Sequence, residues 1–202
     1  MTVPIKLMVG LGNPTSKYER TRHNAGFWFL DEVAVENDVI FRQEPRFHGV
    51  VAKLERGGHT VYLLKPATYM NLSGQAVLAL ASFYRILPVE ILIAHDDLDF
   101  SAGVVRIKSG GGHGGHNGLR DIIARLGTAG FHRLRFGIGH PGEKHAVLSH
   151  VLGSPQEEET TLLMQGIHSV LEVLPEILDG KFPVVQGKLY ATQVKRKKLD
   201  PK

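Results

Sequence analysis

Short apolar runs alternate along this chain with stretches of helical period, and few folds satisfy that alternation. Ile5 to Val9 and Ile91 to Ala94 have the length and composition of buried strands. Val104 to Ile107 and Leu134 to Ile138 are two more, and Phe47 to Leu54 and Val61 to Leu64 read as strands joined by a turn at Gly57-Gly58. Helices are predicted between and after them. One starts near Asn24 and buries Phe27, Leu30 and Ala34; one is capped by Ser73 and buries Val77, Leu80, Ala81 and Tyr84. Another carries Leu119, Ile122, Ile123 and Leu126 at i, i+3, i+4, i+7. Ser154-Pro155-Gln156-Glu157 reads as a capping box opening a helix over Leu163, Ile167, Val170, Leu171 and Leu174, which Pro175 breaks or kinks. Such alternation predicts a single three-layer α/β/α domain. The hairpin makes its twisted sheet mixed, mostly parallel. No linker divides residues 1–193; residues 194–202 form a basic C-terminal tail whose order the sequence leaves open.

At 202 residues and 43% hydrophobic content the chain can bury a core without staples. It has no cysteine, which excludes disulfides, thiolate nucleophiles and cysteine-type zinc sites. A net charge of +4 permits an acidic partner such as RNA without requiring one. No apolar run is long enough to cross a bilayer, and Lys6 interrupts the first apolar stretch before it could serve as a secretory signal.

The densest local signal is Gly110-Gly111-Gly112-His113-Gly114-Gly115-His116-Asn117-Gly118, which runs into the Leu119 helix. Glycine frees the backbone at an entropic cost, so so many together need a reason. Here the loop delivers His116 and Asn117 to a helix start, where amide N–H groups are unpaired. Thr21-Arg22-His23-Asn24-Ala25-Gly26 has the same character. In α/β sheets, sites form beyond the carboxyl ends of strands. Asn13, Met70, Asn71, Asp96, His116 and Asn117 all fall there, with His23 close by.

His23 with a carboxylate is a minimal general base and its orienter. No serine has a nucleophile's context, so a base-activated water is the economical hydrolytic scheme. Asparagines at 13, 71 and 117 can bind amide carbonyls, amide N–H groups and waters, which suits a peptide-like substrate. Spacing alone does not choose among Asp96, Asp97 and Asp99. The histidines lack a metal-ligand spacing, and Gly10-Leu11-Gly12 continues into Asn13-Pro14 rather than completing a dinucleotide fingerprint. Arg106, Lys108, Arg133 and Arg135 could form a phosphate clamp.

These blocks together resemble the bacterial peptidyl-tRNA hydrolase family. The resemblance rests on Gly10 to Pro14 with Tyr18 and Thr21 to Gly26, on Lys65 to Gly74, on His95 to Asp99, on Gly112 to Asp121 and on Phe131 to Pro141. It implies hydrolysis of the ester between a peptide and the 3′ end of tRNA, recycling tRNA from stalled translation. It further implies His23 as base, Asp96 as its orienting partner, and Asn13, Met70, Asn71 and Asn117 around the peptide and water. Tyr18 would flank the tRNA 3′ end, His116 would shape the gate, and the loop from Gly110 would act as a lid. Lys108 and Arg135 would clamp the tRNA 5′ phosphate. A cytoplasmic monomer is implied, with no metal, no organic cofactor and no membrane partner. Thr15 stands where the family usually has glycine. The competing readings are a non-catalytic RNA-binding module on the same fold and a nucleotide-binding oxidoreductase.

Overall fold

A computed structural model describes residues 2–199. Its strands are β1 (Leu7–Gly10), β2 (Arg42–Glu44), β3 (Gly49–Arg56), β4 (His59–Pro66), β5 (Ile91–Asp97), β6 (Val105–Ser109) and β7 (His132–Gly137). Its helices are α1 (Ala25–Glu36), α2 (Ser73–Tyr84), α3 (Asn117–Leu126), α4 (Val147–Val151), α5 (Glu157–Leu171), α6 (Leu174–Leu178) and α7 (Phe182–Leu199). The strands form one sheet in the order β2-β3-β4-β1-β5-β7-β6. β4, β1, β5 and β7 pair in parallel, while β3 and β6 run against their neighbours, so the sheet is mixed and mostly parallel as expected.

The three layers follow from alternation within the central strands. Met8, Leu92, Ala94 and Leu134 face α1, α5, α6 and α7 through Phe29, Leu30, Val33, Ile167, Val170, Ile177 and Val185. Leu7, Val9, Ile91 and Ile93 face α2 and α3 through Val77, Leu80, Leu119 and Ile122. Both faces of β1 and β5 are covered, which is why those strands read as continuous apolar runs. α1 lies tight on the sheet at Gly26, where a Cβ would stand 2.3 Å from the Ala94 carbonyl oxygen and 2.4 Å from the Leu11 nitrogen. That close approach brings the residues just before α1 over the ends of β1 and β5.

Several local expectations need correction. Phe47 ends a helical turn over Pro45–Phe47, and the strand begins at Gly49. The polar edge strand β2 has no apolar alternation to reveal it. Phe27 is half-buried, because the core face of α1 is Phe29, Leu30, Val33 and Ala34. Tyr84 is likewise half-buried, stacked on Tyr62 at 4.0 Å. Ser73 is the first residue of α2 and not its cap; its hydroxyl donates to the Met70 carbonyl at 2.8 Å. The capping box sits two residues beyond Ser154, with Gln156 as cap and Glu159 returning to its amide at 2.9 Å. Helix α5 stops at Leu171, and Pro175 falls in the first turn of α6, where its missing N–H costs nothing. α7 has only a thin buried stripe of Val185, Leu189 and Gln193, too sparse to announce a helix. The boundary placed after residue 193 falls inside α7; residues 200–202 of the tail lie outside the described residues.

Candidate active site

Three chain segments meet at the carboxyl ends of β1 and β5. A helical turn over Arg22–Asn24 carries His23 into α1, β5 carries Asp96, and the glycine-rich loop carries His116 to the start of α3. His23 Nδ1 lies 2.9 Å from Asp96 Oδ1 and 3.0 Å from Oδ2. His116 Nε2 reaches the same Oδ1 at 3.0 Å. The tautomers follow from the partners. His116 is the N-cap of α3, and its Nδ1 accepts from the Gly118 and Leu119 amides at 3.2 and 3.4 Å. Its Nε2 must therefore carry the proton that it donates to Asp96. His23 Nδ1 donates to the same carboxylate, which leaves His23 Nε2 as a lone-pair site with no protein partner among the described residues.

Burial alone would push the His23 imidazole's pKa down, but the Asp96 charge and the hydrogen bond to it prevail, and the pKa is raised above 6.5. For Asp96, burial works upward, and the two histidines overcome it, so its pKa lies well below the usual carboxylate range. A third histidine, His95, is fully buried and packs edge-on against His116 at 5.0 Å. Burial, with neighbouring His116 second, lowers its pKa to about 3, so it stays neutral.

Asn13 and Asn24 lock together: the Asn13 amide donates to Asn24 Oδ1 at 2.8 Å, and Asn24 Nδ2 donates to the Asn13 carbonyl at 3.0 Å. Asn13 Oδ1 accepts from the Met70 amide at 2.8 Å, so the Asn13 Nδ2 is the end left for a ligand. Met70 is buried; a Cβ on Gly118 would meet its sulfur at 2.6 Å, so glycine lets α3 seat without displacing that side chain. Asn71 and Asn117 are exposed, the latter accepting from Arg120 at 3.0 Å. Tyr18 is half-buried on the turn Ser16–Tyr18, and no hydrogen bond joins it to the His23–Asp96 pair. Thr15 has φ −92° and ψ 150°, an extended conformation that does not require glycine.

The basic residues share one face of the β6–β7 ladder, where Lys108 stands opposite Arg133 and Arg106 opposite Arg135. They are not equivalent. Arg135 is already paired with Asp97 at 2.7 Å and Asp99 at 3.1 Å. Exposed Lys108 has no carboxylate partner among the described residues. Asn24 stands at the start of α1 without a capping bond; its side chain fixes Asn13 across eleven residues, and its only sequence signal is adjacency to His23.

Among the described residues, His23, Asp96 and His116 form the one group able to offer metal ligands, with ligand atoms within 4.8 Å of each other. The fit is poor. Asp96 Oδ1 already accepts from both imidazoles, and His116 could free its Nε2 only by giving up the α3 cap. The arrangement suits proton transfer: a buried carboxylate orients an imidazole whose free nitrogen can take a proton from water.

The family described as peptidyl-tRNA hydrolase matches residues 7–198. A peptidyl-tRNA hydrolase of Neisseria meningitidis serogroup C is 53% identical over 182 residues, covering 90% of this chain and 95% of that protein. One from Coxiella burnetii is 51% identical, covering 95% and 100%. The crystal structure of peptidyl-tRNA hydrolase from Acinetobacter baumannii superposes with a TM-score of 0.88 at 49% identity, covering 92% of this chain and 94% of that one. No helix among the described residues is long and apolar enough to cross a membrane.

Proposed function

The chain belongs to the peptidyl-tRNA hydrolase family, and from that premise we propose how its residues divide the reaction. The protein hydrolyses peptidyl-tRNA. We assign His23 Nε2 as the base that takes a proton from water while Asp96 fixes the tautomer and stabilises the imidazolium. The resulting hydroxide adds to the ester carbonyl carbon, and Asn13 Nδ2 donates to the oxygen that gains charge. Collapse of the tetrahedral intermediate breaks the bond to the ribose 3′ oxygen, which recovers the proton from His23. Free tRNA and a peptide acid leave. Met70, Asn71 and Asn117 line the peptide side, His116 shapes the entrance, and Tyr18 flanks the tRNA 3′ end. No metal or cofactor takes part. We place this work in the cytoplasm, by a monomer with a single catalytic domain that includes α7, returning tRNA from stalled translation.

The observation that carries the reading is the 2.9 Å contact from His23 Nδ1 to a buried carboxylate, with Nε2 left free. An RNA-binding module without activity has no use for that pair. Release of peptide from N-acyl-aminoacyl-tRNA tests it, and the rate is expected to be unchanged by a strong chelator. No release would overturn the hydrolase reading; release abolished by the chelator would overturn the metal-free scheme.

We also assign Lys108 to the tRNA 5′ phosphate, with Arg135 beside it. Lys108 carries the more available charge, since Asp97 and Asp99 already hold Arg135. Lys108→Ala is expected to raise KM several-fold, leave kcat nearly intact and flatten the salt dependence of kcat/KM. Loss confined to kcat would assign Lys108 another role.

A further inference from the structure

Arg133 is a buried cation that the reaction scheme leaves unused. It is only 4% exposed and has no carboxylate within ion-pair distance among the described residues. A guanidinium held this way loses hydration without gaining a counter-ion, which is costly unless its hydrogen bonds serve a purpose. Those bonds go to the glycine-rich loop: Nη1 donates to the Gly112 carbonyl and Nη2 to the Gly111 carbonyl. The guanidinium lies 5.0 Å from the Phe131 ring centre, and the Phe131 carbonyl accepts from the Gly110 amide at 2.9 Å.

A short path leads from these carbonyls to the catalytic pair. His113 follows Gly112; its ring nitrogen accepts from the Gly115 amide at 3.0 Å and its carbonyl from the His116 amide at 2.9 Å. His116 then caps α3 and donates to Asp96, the partner of His23. The intervening Gly114 and Gly115 have φ of 56° and 85°, and a Cβ on either would meet open space, so packing does not fix the loop there and its near end needs an anchor from elsewhere.

We propose that Arg133 is a positioning residue: its guanidinium latches the Gly111 and Gly112 carbonyls, and so sets the loop that presents His116 and Asn117 to the hydrolytic site. The reading rests on the hydrolase assignment only for its effect on turnover. A flat fork with two parallel donors suits two successive carbonyls; a lysine ammonium can serve one at a time. Lys108, opposite on the ladder, remains the phosphate contact, so the two neighbouring cations have separate tasks.

The test compares Arg133→Lys and Arg133→Met with wild type by amide hydrogen exchange and by kinetics. Exchange over residues 110–116 is expected to speed up at least tenfold in the Met variant and less in the Lys variant, with β5 and β7 protected as before. On N-acyl-aminoacyl-tRNA, kcat is expected to fall about tenfold in the Met variant and recover partly with Lys. The ratio of kcat/KM between 5′-phosphorylated and dephosphorylated substrate should stay at its wild-type value. Unchanged loop exchange in both variants would overturn the latch, whatever the activity. Loss of the phosphate preference would instead make Arg133 a phosphate ligand. Should the Met variant fail to fold, the Lys variant alone decides, through loop exchange. An inactive wild-type enzyme would sink the hydrolase reading and leave the exchange result standing.

Discussion

Replacing His23 by alanine is expected to reduce turnover of N-acyl-aminoacyl-tRNA by roughly 10²–10⁴-fold, the usual worth of a positioned general base. Binding of tRNA should persist, because Lys108 and Arg135 belong to the β6–β7 ladder and make no contact with His23 through hydrogen bonds or ion pairs. The variant should also fold. Deleting one partner of a buried charge is costly when it leaves the other partner alone. Asp96 is not left alone, since His116 Nε2 still donates to its Oδ1 at 3.0 Å. That second donor makes the experiment clean: single-turnover rate and tRNA affinity can be measured on an intact molecule. Wild-type turnover in the alanine variant would remove His23 from the base role. A parallel loss of tRNA affinity would mean that the imidazole also binds.

How much of this arrangement was readable in advance depends on how each residue is buried. The central strands declared themselves because both faces of β1 and β5 are covered by helices. That same double burial hid the choice among Asp96, Asp97 and Asp99. A strand with apolar residues on both faces has no alternation, so parity says nothing of which carboxylate turns inward. In the fold, Asp96 shares the side of Leu92 and Ala94 and meets His23, while Asp97 turns to Arg135. The glycine-rich loop was conspicuous in composition, yet its anchor was not. Arg133 and Arg135 have the same spacing, charge and strand, and they separate only when one finds carbonyls and the other finds Asp97 and Asp99. Asn24 gave no sign of its role, because a helix-start asparagine ordinarily caps. Here the amide of Asn13, eleven residues earlier, is the better-placed donor. Local chemistry was legible; partners chosen by long-range packing were not.

Asp96→Asn should leave a signature that simple loss of activity would not. In the wild type the Asp96 carboxylate raises the His23 pKa above 6.5 against the opposing effect of burial. Only neutral imidazole can accept a proton from water, so kcat should decline as pH falls through a value above 6.5. With the carboxylate replaced by an amide, burial is what remains, and it acts downward. The acid limb should therefore move below 6.5 even as the plateau drops. The plateau loss is expected near that of an orienting aspartate changed to asparagine in a serine hydrolase, about 10⁴-fold, because the amide no longer fixes the tautomer. Stability follows from the same shifts with opposite signs. His23, with its pKa raised, stabilises the fold fully below 6.5 and loses that contribution as pH climbs through its folded value. Asp96, with its pKa depressed, stabilises above 3.8 and loses its contribution as pH falls through its folded value. Both contributions are in force between 3.8 and 6.5, so the Tm difference between wild type and Asp96→Asn should be widest there and shrink toward pH 9. Paired pH profiles of kcat and Tm decide the matter. An acid limb that stays in place while the plateau falls would show that Asp96 orients the imidazole without setting its charge, and an unchanged plateau would take Asp96 out of the reaction.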